Sequence, residues 1–389
     1  MDNFVTHYKT KLYSITMLTT FLSDIKDFRR LQGQRFRLHH TLLFSFLAIC
    51  CNANTYRQMG LFISTHFDKL SSYFELDWKA PPHHTTIRNH IKGVCTDELE
   101  ASFRAFTQHQ LPPDAFSGED YNHIAADGKT LCGSSDPTVG KRAVQCFSFF
   151  NVARGLILGH IEIAEKTNEI PVFQQLLSEL GIPNSIFTAD ALHLQKKTFE
   201  IAEDKGHGLL IQLKDNQKEL ENDVAQIIKL EQPTQIYEAP PELGHGRIEN
   251  RKATVYQQWI SDHILDEQWA RYIQTVVHIE RRRQIKNTAT GQWEVSEEKS
   301  LYLANKIIRA QYANQLIRDH WGIENKDHYV RDVSFNEDAH KIKRQPFNYS
   351  ILRSFALNFF RNNKFENIKE QRYAFSLDWT KVYSFPHFI

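Results

Sequence analysis

Apolar residues recur at intervals of three and four through the first part of the chain. The pattern runs through HTLLFSFLAICCNANTYRQMGLFISTHF and again through TDELEASFRAFTQHQL, and Pro81 and Pro82 interrupt it between the two. Such intervals are typical of amphipathic helices, and adjacent prolines are typical of a break. The pattern therefore predicts an all-helical region over residues 1–110.

One segment of this region, PPHHTTIRNHIKGV, is similar to the second half of a helix-turn-helix. Thr85 or Thr86 is placed to cap a short helix that carries Arg88, His90 and Lys92 on its polar face. Two interpretations stay open at this point. The helix reads DNA, or it is a bundle helix with ordinary surface charges.

The pattern changes after the linker LPPDAFSGED. HIAADGKT, AVQCFSFFNVA and LILGHIEIA are β-rich runs separated by polar or glycine-containing turns. A helix (PVFQQLLSEL), a strand (SIFTADAL), a helix (LQKKTFEIAEDKG) and a strand (GLLIQLK) follow. The order β-β-β-α-β-α-β predicts a ribonuclease-H-like mixed sheet covered by helices, begun within residues 111–215.

Residues 216–305 have a different residue pattern, with alternating β-branched and aromatic runs such as HGRIENRKATVYQQW and WARYIQTVVHIERRRQI. We expect a mostly β insertion there. The helical pattern returns over residues 306–389, first in AQYANQLIRDHWGIENKDH and then over residues 347–361, where a helix is expected to close the core. The predicted fold class is α/β, with an N-terminal all-α domain joined to the interrupted sheet.

Three acidic residues stand out against this layout. Asp127 and Asp190 end the first and fourth predicted strands, which are neighbours in a ribonuclease-H-like sheet, and Glu324 lies on the helix after the insertion. Hard divalent cations with phosphate substrates require carboxylate oxygens, and a pair of such ions can drive phosphodiester chemistry. Taken singly, each aspartate is more often a turn or helix cap, so only the set predicts catalysis.

Charge is unevenly distributed although the net charge is only +1. Residues 1–110 carry 13 Lys and Arg against 9 Asp and Glu, residues 111–277 carry 15 against 24, and residues 278–377 carry 18 against 12. An acidic middle suits a carboxylate cluster neutralised by metal, and basic flanks suit phosphate contacts, although chance clustering of surface charge gives the same totals.

Other classes of site and location find little support in the sequence. The longest apolar run, residues 42–51, is about half of the roughly 20 residues that a bilayer span needs, and no targeting segment is evident, so we expect a cytoplasmic protein with no membrane partner. The five cysteines lack paired spacing and are expected to be reduced. A zinc site from His84, His90 and Cys95 lacks a second ligand pair.

Five ordered motifs resemble one family. IAADGKTL, TADALHLQKKT, LKDNQKEL, HGRIENR and RDHWGIENKDHYVRDVSFNEDAHKIKR look like those of the DDE-class insertion-sequence transposases, in the ISAs-type group that includes the H-repeat-associated proteins. The resemblance covers nearly the whole chain. It implies that Asp127, Asp190 and Glu324 are catalytic and hold two Mg²⁺ ions, with Mn²⁺ as a substitute.

The same resemblance implies cutting and 3′-hydroxyl strand transfer at element ends. The expected partners are double-stranded DNA, as terminal inverted repeats and as target, and a second copy of the chain in a dimeric synaptic complex, so that the protein associates with the nucleoid when it is bound to DNA. Two alternatives remain: a DNA-binding relic or recruited accessory protein that no longer transposes, and a metal-dependent nuclease that does not join strands.

A further set of polar residues near these motifs is predicted to contact DNA. It consists of Lys129, His193, Lys214, Asn216, Gln217, Arg247, Arg251, Arg318, His320, Asn325 and Arg331. The alternative for Lys129 is a solvated lysine at a strand end, and the alternative for His193 is a buried structural histidine. For the residues of LKDNQ it is an ordinary turn. For Arg247 and Arg251 it is a charged hairpin surface that also includes residues 281–283. Trp321 is expected to pack against the sheet and fix the rotamer of Glu324.

The chain also departs from the family pattern. Cys132 stands where the group usually has an arginine, and Asp327 and Tyr329 replace a leucine and a tryptophan. Arg331 stands seven residues after Glu324, where related transposases with a tyrosine-arginine-glutamate-lysine signature place a lysine, and it is a candidate for that role. None of these changes affects the three acids.

Overall fold

The described part of the N-terminal region, residues 18–111, is helical, as predicted for residues 1–110. The computed structural model describes residues 18–111, 121–164, 168–244, 246–287 and 290–385. Residues 18–23 are helical, and α1 (Leu38–Cys50), α2 (Tyr56–Thr65), α3 (Phe67–Phe74), α4 (His84–Gly93) and α5 (Thr96–His109) follow. A capping box begins α2, because Thr55 and Gln58 each accept a backbone N–H from the other.

The helix-turn-helix segment forms α4, but its details differ from the prediction. His83, and not Thr85 or Thr86, caps the helix by accepting the N–H of Thr85. His90 is buried, its ring nitrogens facing Thr41 and Arg29 at 3.1 and 2.5 Å, so it is not on a DNA-reading face. Arg88 and Lys92 are exposed.

One large mixed sheet forms the centre of the molecule. Its strands are β1 (Asn122–Leu131), β2 (Val144–Asn151), β3 (Leu156–Ile163), β4 (Ser185–Ala189), β5 (Gly208–Leu213), β6 (Gln235–Glu238), β7 (Glu242–Gly244), β8 (Arg247–Tyr256), β9 (Thr275–Lys286) and β10 (Trp293–Ala304). The strand order is β3-β2-β1-β4-β5-β10-β9-β8-β6, and β7 also pairs with β8. The predicted order of strands and helices up to β5 is confirmed.

The pairing directions explain how the insertion joins this sheet. β1, β2 and β3 are antiparallel, whereas β1, β4 and β5 are parallel. β10 pairs antiparallel with β5, with Leu301 opposite Leu213, so the strands of the insertion extend the sheet and do not form a separate one.

The helices connect the strands and cover both faces. They are α6 (Glu169–Glu179), α7 (Lys196–Asp204), α8 (Lys218–Leu230), α9 (Ile260–His263), α10 (Glu267–Tyr272), α11 (Ala310–Asp319), α12 (Tyr329–Ser334), α13 (Pro346–Asn362) and α14 (Ile368–Leu377). A π-helical segment, Ile323–His328, lies between α11 and α12, and the 3₁₀ helix Trp379–Ser384 follows α14.

Three buried apolar clusters hold these layers together. Helices α6 to α10 cover one face of the sheet through residues such as Phe173, Phe199 and Trp269. On the opposite face, α11 packs on the central strands. The N-terminal helices, α13 and α14 share a third cluster with β1 to β3, and α13 is buried along almost its whole length. No described helix is long and apolar enough to span a bilayer.

Candidate active site

Asp127 lies on β1, and Asp190 directly follows β4, the parallel neighbour of β1. The last residues that β1 and β4 pair with each other are Ala125 and Thr188. Asp127 lies two residues after Ala125, and Asp190 lies two residues after Thr188. Because side chains alternate along a strand, Asp127 shares a sheet face with Ala125 and is level with Asp190. Asp127 does not end its strand as predicted, since β1 continues to Leu131 through its pairing with β2.

Glu324 enters the site from the π-helical segment. A π turn contains one residue more than an α turn and is frequent at functional sites, because the extra residue redirects side chains. Glu324 is exposed, whereas Ile323 is fully buried against the core. The helix therefore presents the carboxylate outward, close enough for its charge to act on both aspartates.

The acids act on one another electrostatically. Burial, followed by the charges of Asp190, Glu324 and Glu169, raises the pKa of Asp127 to about 7, although the N–H of Gly128 opposes this by donating to its Oδ1 at 2.8 Å. Burial and the charge of Asp190 also raise the pKa of Glu324. Mutual repulsion of this kind requires the carboxylates to be close together.

The chemistry of these three acids suits a divalent cation. Within the described residues, neither Asp127, Asp190 nor Glu324 has a lysine or arginine ion-pair partner. No three His, Cys, Asp or Glu side chains in that part of the chain already have ligand geometry around one point. Carboxylates that raise one another's pKa without a cationic partner are stabilised when a cation binds between them.

Two further residues lie near Asp127. His328 lies with Nδ1 3.7 Å from Asp127 Oδ2, and burial lowers the pKa of its imidazole. Glu169, the first residue of α6, faces Gly128 and contributes to the raised pKa of Asp127. Glu169 lies 42 positions from Asp127 in the sequence, outside the five motifs, so no sequence signal pointed to it.

His320 connects the Glu324 helix to β4. Thr188 Oγ1 lies 2.8 Å from His320 Nδ1 and 2.8 Å from His123 Nε2, so one hydroxyl joins three elements. Burial lowers the pKa of His320 and that of His123. Since Thr188 precedes Asp190 by two residues, this contact fixes the position of the helix relative to the aspartate.

The LKDNQ motif supports the loop after Asp190. Asn216 Nδ2 donates to Ala191 O at 2.9 Å, and Gln217 Nε2 donates to Leu194 O at 3.0 Å. Both amides are therefore used within the protein, while Lys214 is exposed at the end of β5. The motif is therefore a turn, which was one of the two alternatives from the sequence. Its amides also have a specific role, because they hold the segment that follows Asp190.

Two of the residues predicted to contact DNA, Lys129 and Arg331, form buried ion pairs instead. Lys129 Nζ donates to both carboxylate oxygens of Asp332 at 2.8 Å. Arg331 is only 2% exposed, and its guanidinium pairs with Asp327 and Glu337 at 3.0 and 3.3 Å. Neither cation is placed to contact DNA, and Arg331 is not placed to take the lysine's role, because both side chains are enclosed by their acidic partners.

The structure decides between the two alternatives for His193 and contradicts the prediction for Trp321. His193 is buried between the rings of Phe147 and Phe173, at centroid distances of 5.2 and 4.6 Å, which is the structural alternative for this residue. Trp321 is 51% exposed and does not pack against the sheet. The turn at residues 320–321 explains this, because it interrupts the helix before Glu324.

A basic cleft lies beside Glu324. It has a volume of about 510 Å³ and is lined by the paired strands β8 and β9 and by the segment that carries Glu324. Six of its lining residues are cationic and three are acidic, so the cleft is positive overall. The cationic residues are Arg247, Arg251, Arg281, Arg283, Arg318 and Lys326.

The cleft brings together four of the predicted DNA contacts, Arg247, Arg251, Arg318 and Asn325, from two distant parts of the sequence. Some of its cations have acidic partners. Glu249 accepts from Arg251 at 2.6 Å and from Arg283 at 3.2 Å, and Glu242 accepts from Arg318 at 2.7 Å.

The strand order β3-β2-β1-β4-β5 is that of a ribonuclease-H-like core, and comparison with known families gives the class of protein, a DNA transposase. The model of the Transposase DDE domain family matches residues 118–359, and that of the DDE_Tnp_1-associated family matches residues 19–107. The chain therefore belongs to the DDE transposase family, and the resemblance found in the sequence is confirmed.

Similar proteins carry related names. The chain is 29% identical over 354 residues to the "H repeat-associated putative transposase YhhI" of Escherichia coli (strain K12), which covers 89% of this chain and 91% of the relative. It is 26% identical over 362 residues to the "Putative transposase YncI" of Escherichia coli O157:H7, which covers 90% and 89%. A piggyBac transposase synaptic complex with hairpin DNA aligns at a TM-score of 0.45 and 11% identity, over 96% of this chain and 80% of that one.

Proposed function

We propose that this transposase binds the ends of its element and cuts and joins DNA with two Mg²⁺ ions held by Asp127, Asp190 and Glu324. The observation that carries the proposal is the group of mutually repelling carboxylates, which includes an aspartate whose pKa is about 7 and which has no lysine or arginine partner within the described residues. Mn²⁺ is expected to substitute, because it accepts the same oxygen ligands.

In this proposal Asp127, Asp190 and Glu324 would together hold the two ions, with Asp127 as the ligand common to both. Ions bound there would supply activation of the attacking water or DNA 3′-hydroxyl and stabilisation of the leaving oxygen. The chain holds its acids in place through rigid contacts: the Gly128 N–H orients Asp127, the LKDNQ amides support Asp190, and Thr188 with His320 positions the Glu324 helix.

The basic cleft is proposed to hold the DNA backbone next to the acids. Arg247 and Asn325 are exposed at its surface, and Arg251 and Arg318 line its walls. The carboxylates of Glu242 and Glu249 keep the arginines ordered, and phosphates can replace them because guanidinium binds both groups bidentately. Lys214 is exposed and remains a candidate contact; Lys129, His193 and Arg331 are used within the protein.

Other parts of the proposal follow from the family. We expect the N-terminal region, residues 1–110, to contribute to end recognition, with Arg88 and Lys92 exposed on α4. Two element ends must be brought together for transposition, so we expect a dimer on DNA. We also propose that the protein acts in the cytoplasm, at the nucleoid.

A single assay separates this function from its alternatives. Purified protein is incubated with a labelled element-end duplex, a target plasmid and Mg²⁺ or Mn²⁺. Joined products are expected; cleavage without joining would indicate a nuclease, and binding alone a relic or accessory protein.

The acids are tested in the same assay. Asp127→Asn, Asp190→Asn and Glu324→Gln are expected to abolish cleavage and joining while the duplex is still bound, because each change removes one metal-binding charge. Full activity in any of the three variants would refute the metal assignment.

The basic cleft is tested with Arg247→Ala. This change is expected to weaken DNA binding equally for all sequences and to reduce the salt dependence of binding.

A further inference from the structure

Glu169 is held against the strand that carries Asp127. It is the first residue of α6, and Asn168 caps that helix by accepting the N–H of Ile170 at 3.1 Å. A Cβ atom placed on Gly128 would lie 3.0 Å from Glu169 Cδ and closer still to its Oε1. The carboxylate therefore occupies the space that any other residue at position 128 would fill.

The second neighbour of Glu169 comes from the loop after Asp190. His193 Nε2 lies 3.8 Å from Glu169 Oε2, and the imidazole is held by Phe147 and Phe173. Glu169 thus lies between the segment next to Asp127 and the segment next to Asp190. Its side chain is 29% exposed, and no lysine or arginine in the described residues pairs with it.

A helix-capping role does not account for this placement. An acid in the first turn of a helix is stabilised by the helix dipole even when its side chain points into solvent. Here the carboxylate points instead toward Gly128, beside the buried and acidic Asp127. Crowding a further negative charge into that position has an evident benefit only if a cation binds there.

We propose that Glu169 is a fourth carboxylate of the metal site, on the side of His193. The inference rests on the proposed function, since it concerns the same two divalent ions. Two such ions carry four positive charges, whereas Asp127, Asp190 and Glu324 supply three negative ones. Glu169 makes the site neutral before the DNA phosphate arrives, and Gly128 is required because a side chain there would displace Glu169.

The test measures Mn²⁺ binding by isothermal titration calorimetry on the full-length protein without DNA. Glu169→Gln is expected to weaken Mn²⁺ binding by roughly 10- to 100-fold, the range seen when groups that support a metal site are removed. Glu219→Gln is the matched control, because Glu219 also lies in the first turn of a helix, α8, and is exposed. It should bind Mn²⁺ like the unchanged protein.

Gly128→Ala provides an independent test. It is expected to weaken Mn²⁺ binding in the unchanged protein, because the new Cβ pushes Glu169 aside. In a Glu169→Ala background, Gly128→Ala should weaken Mn²⁺ binding little further, because the carboxylate that it would displace is absent. Equal losses in both backgrounds would overturn the proposed contact.

The outcomes also separate this inference from the proposed function. If Asp127→Asn loses Mn²⁺ binding and Glu169→Gln does not, the role of Glu169 is refuted and the metal site stands. If neither change affects Mn²⁺ binding, the metal site itself is refuted, and the role of Glu169 with it. Normal thermal unfolding of Glu169→Gln without metal confirms that a loss of binding is not a loss of folding.

Discussion

At the scale of single residues, Asp127 links stability to metal binding. Its carboxyl is buried beside like charges, so its pKa is about 7 in the folded chain against an ordinary value of 3.8. The folded state therefore binds more protons than the unfolded state between pH 4 and 7, and stability falls as the pH rises through that window. The loss is complete above pH 7, where the carboxylate is ionised in both states.

This linkage predicts that Asp127→Asn stabilises the metal-free protein at pH 8. A shift from 3.8 to about 7 corresponds to on the order of 4 kcal/mol at most. The amide keeps an oxygen for the Gly128 N–H and carries no charge, so the variant should unfold at a higher temperature. The measurement is thermal unfolding in chelator at pH 8 and at pH 4, where most of the difference should be absent.

Divalent metal supplies the control for that prediction. Adding Mg²⁺ at pH 8 should stabilise the unchanged protein more than the variant and so reduce the difference between them. A variant that is equally stabilised at pH 4 and pH 8 would contradict the link to ionisation, since its effect would then come from packing.

Arg331 shows why some residue roles were not predictable from the sequence. Its position relative to Glu324 suggested a phosphate contact, but its partners Glu337, Ser350 and Ser354 lie up to 23 residues further on. A buried guanidinium requires such acceptors, because an unpaired charge in the interior is strongly unfavourable. Spacing alone does not reveal whether a cation faces solvent or an acid brought in by another helix.

At the scale of elements, periodicity predicted the strands and helices of the core but not their exact relation to the acids. The apolar runs before Asp127 and Asp190 identified both strands, and parallel pairing of β1 with β4 explains why the acids are level. The π segment was not predictable, since it needs a tertiary contact at Ile323 to hold the extra residue in place. Trp321 was misplaced because the turn at residues 320–321 interrupts the helix before Glu324.

The LKDNQ turn gives a prediction at this scale. Asn216→Ala and Gln217→Ala each remove a hydrogen bond to the loop after Asp190, worth about 0.5 to 1.5 kcal/mol. We expect DNA cleavage to slow by roughly tenfold, because a carboxylate that moves by about 1 Å loses much of its effect. The two measurements are the cleavage rate and the unfolding temperature, which should fall by only a few degrees.

Lys218→Ala is the control for this turn, since Lys218 is exposed at the start of α8 next to Gln217. It should leave the cleavage rate unchanged. If the alanine variants at 216 and 217 cleave normally but bind DNA more weakly, these amides contact DNA as the sequence suggested, and their support of the loop is not important for catalysis.

At the scale of the whole molecule, the N-terminal helices are part of the core. They share one buried cluster with α13 and α14, which come from the far end of the chain. Asn348 on α13 is fully buried, donates to Ile91 O and Val94 O at 2.9 and 3.0 Å, and accepts from Thr96 Oγ1 at 2.8 Å. Sequence patterns identified both sets of helices but could not reveal that they pack together, because apolar spacing does not specify a partner.

This shared core predicts that the chain unfolds in one cooperative transition and that the catalytic part does not fold alone. A fragment beginning at residue 112 would expose the apolar surface of α13, so we expect it to aggregate or to lack a sharp unfolding transition. Calorimetry of the full chain and of the fragment measures this. Asn348→Ala in the full chain should lower the unfolding temperature, since it leaves two buried carbonyls unpaired. A fragment that unfolds cooperatively at the temperature of the full chain would show instead that residues 1–111 form an independent domain.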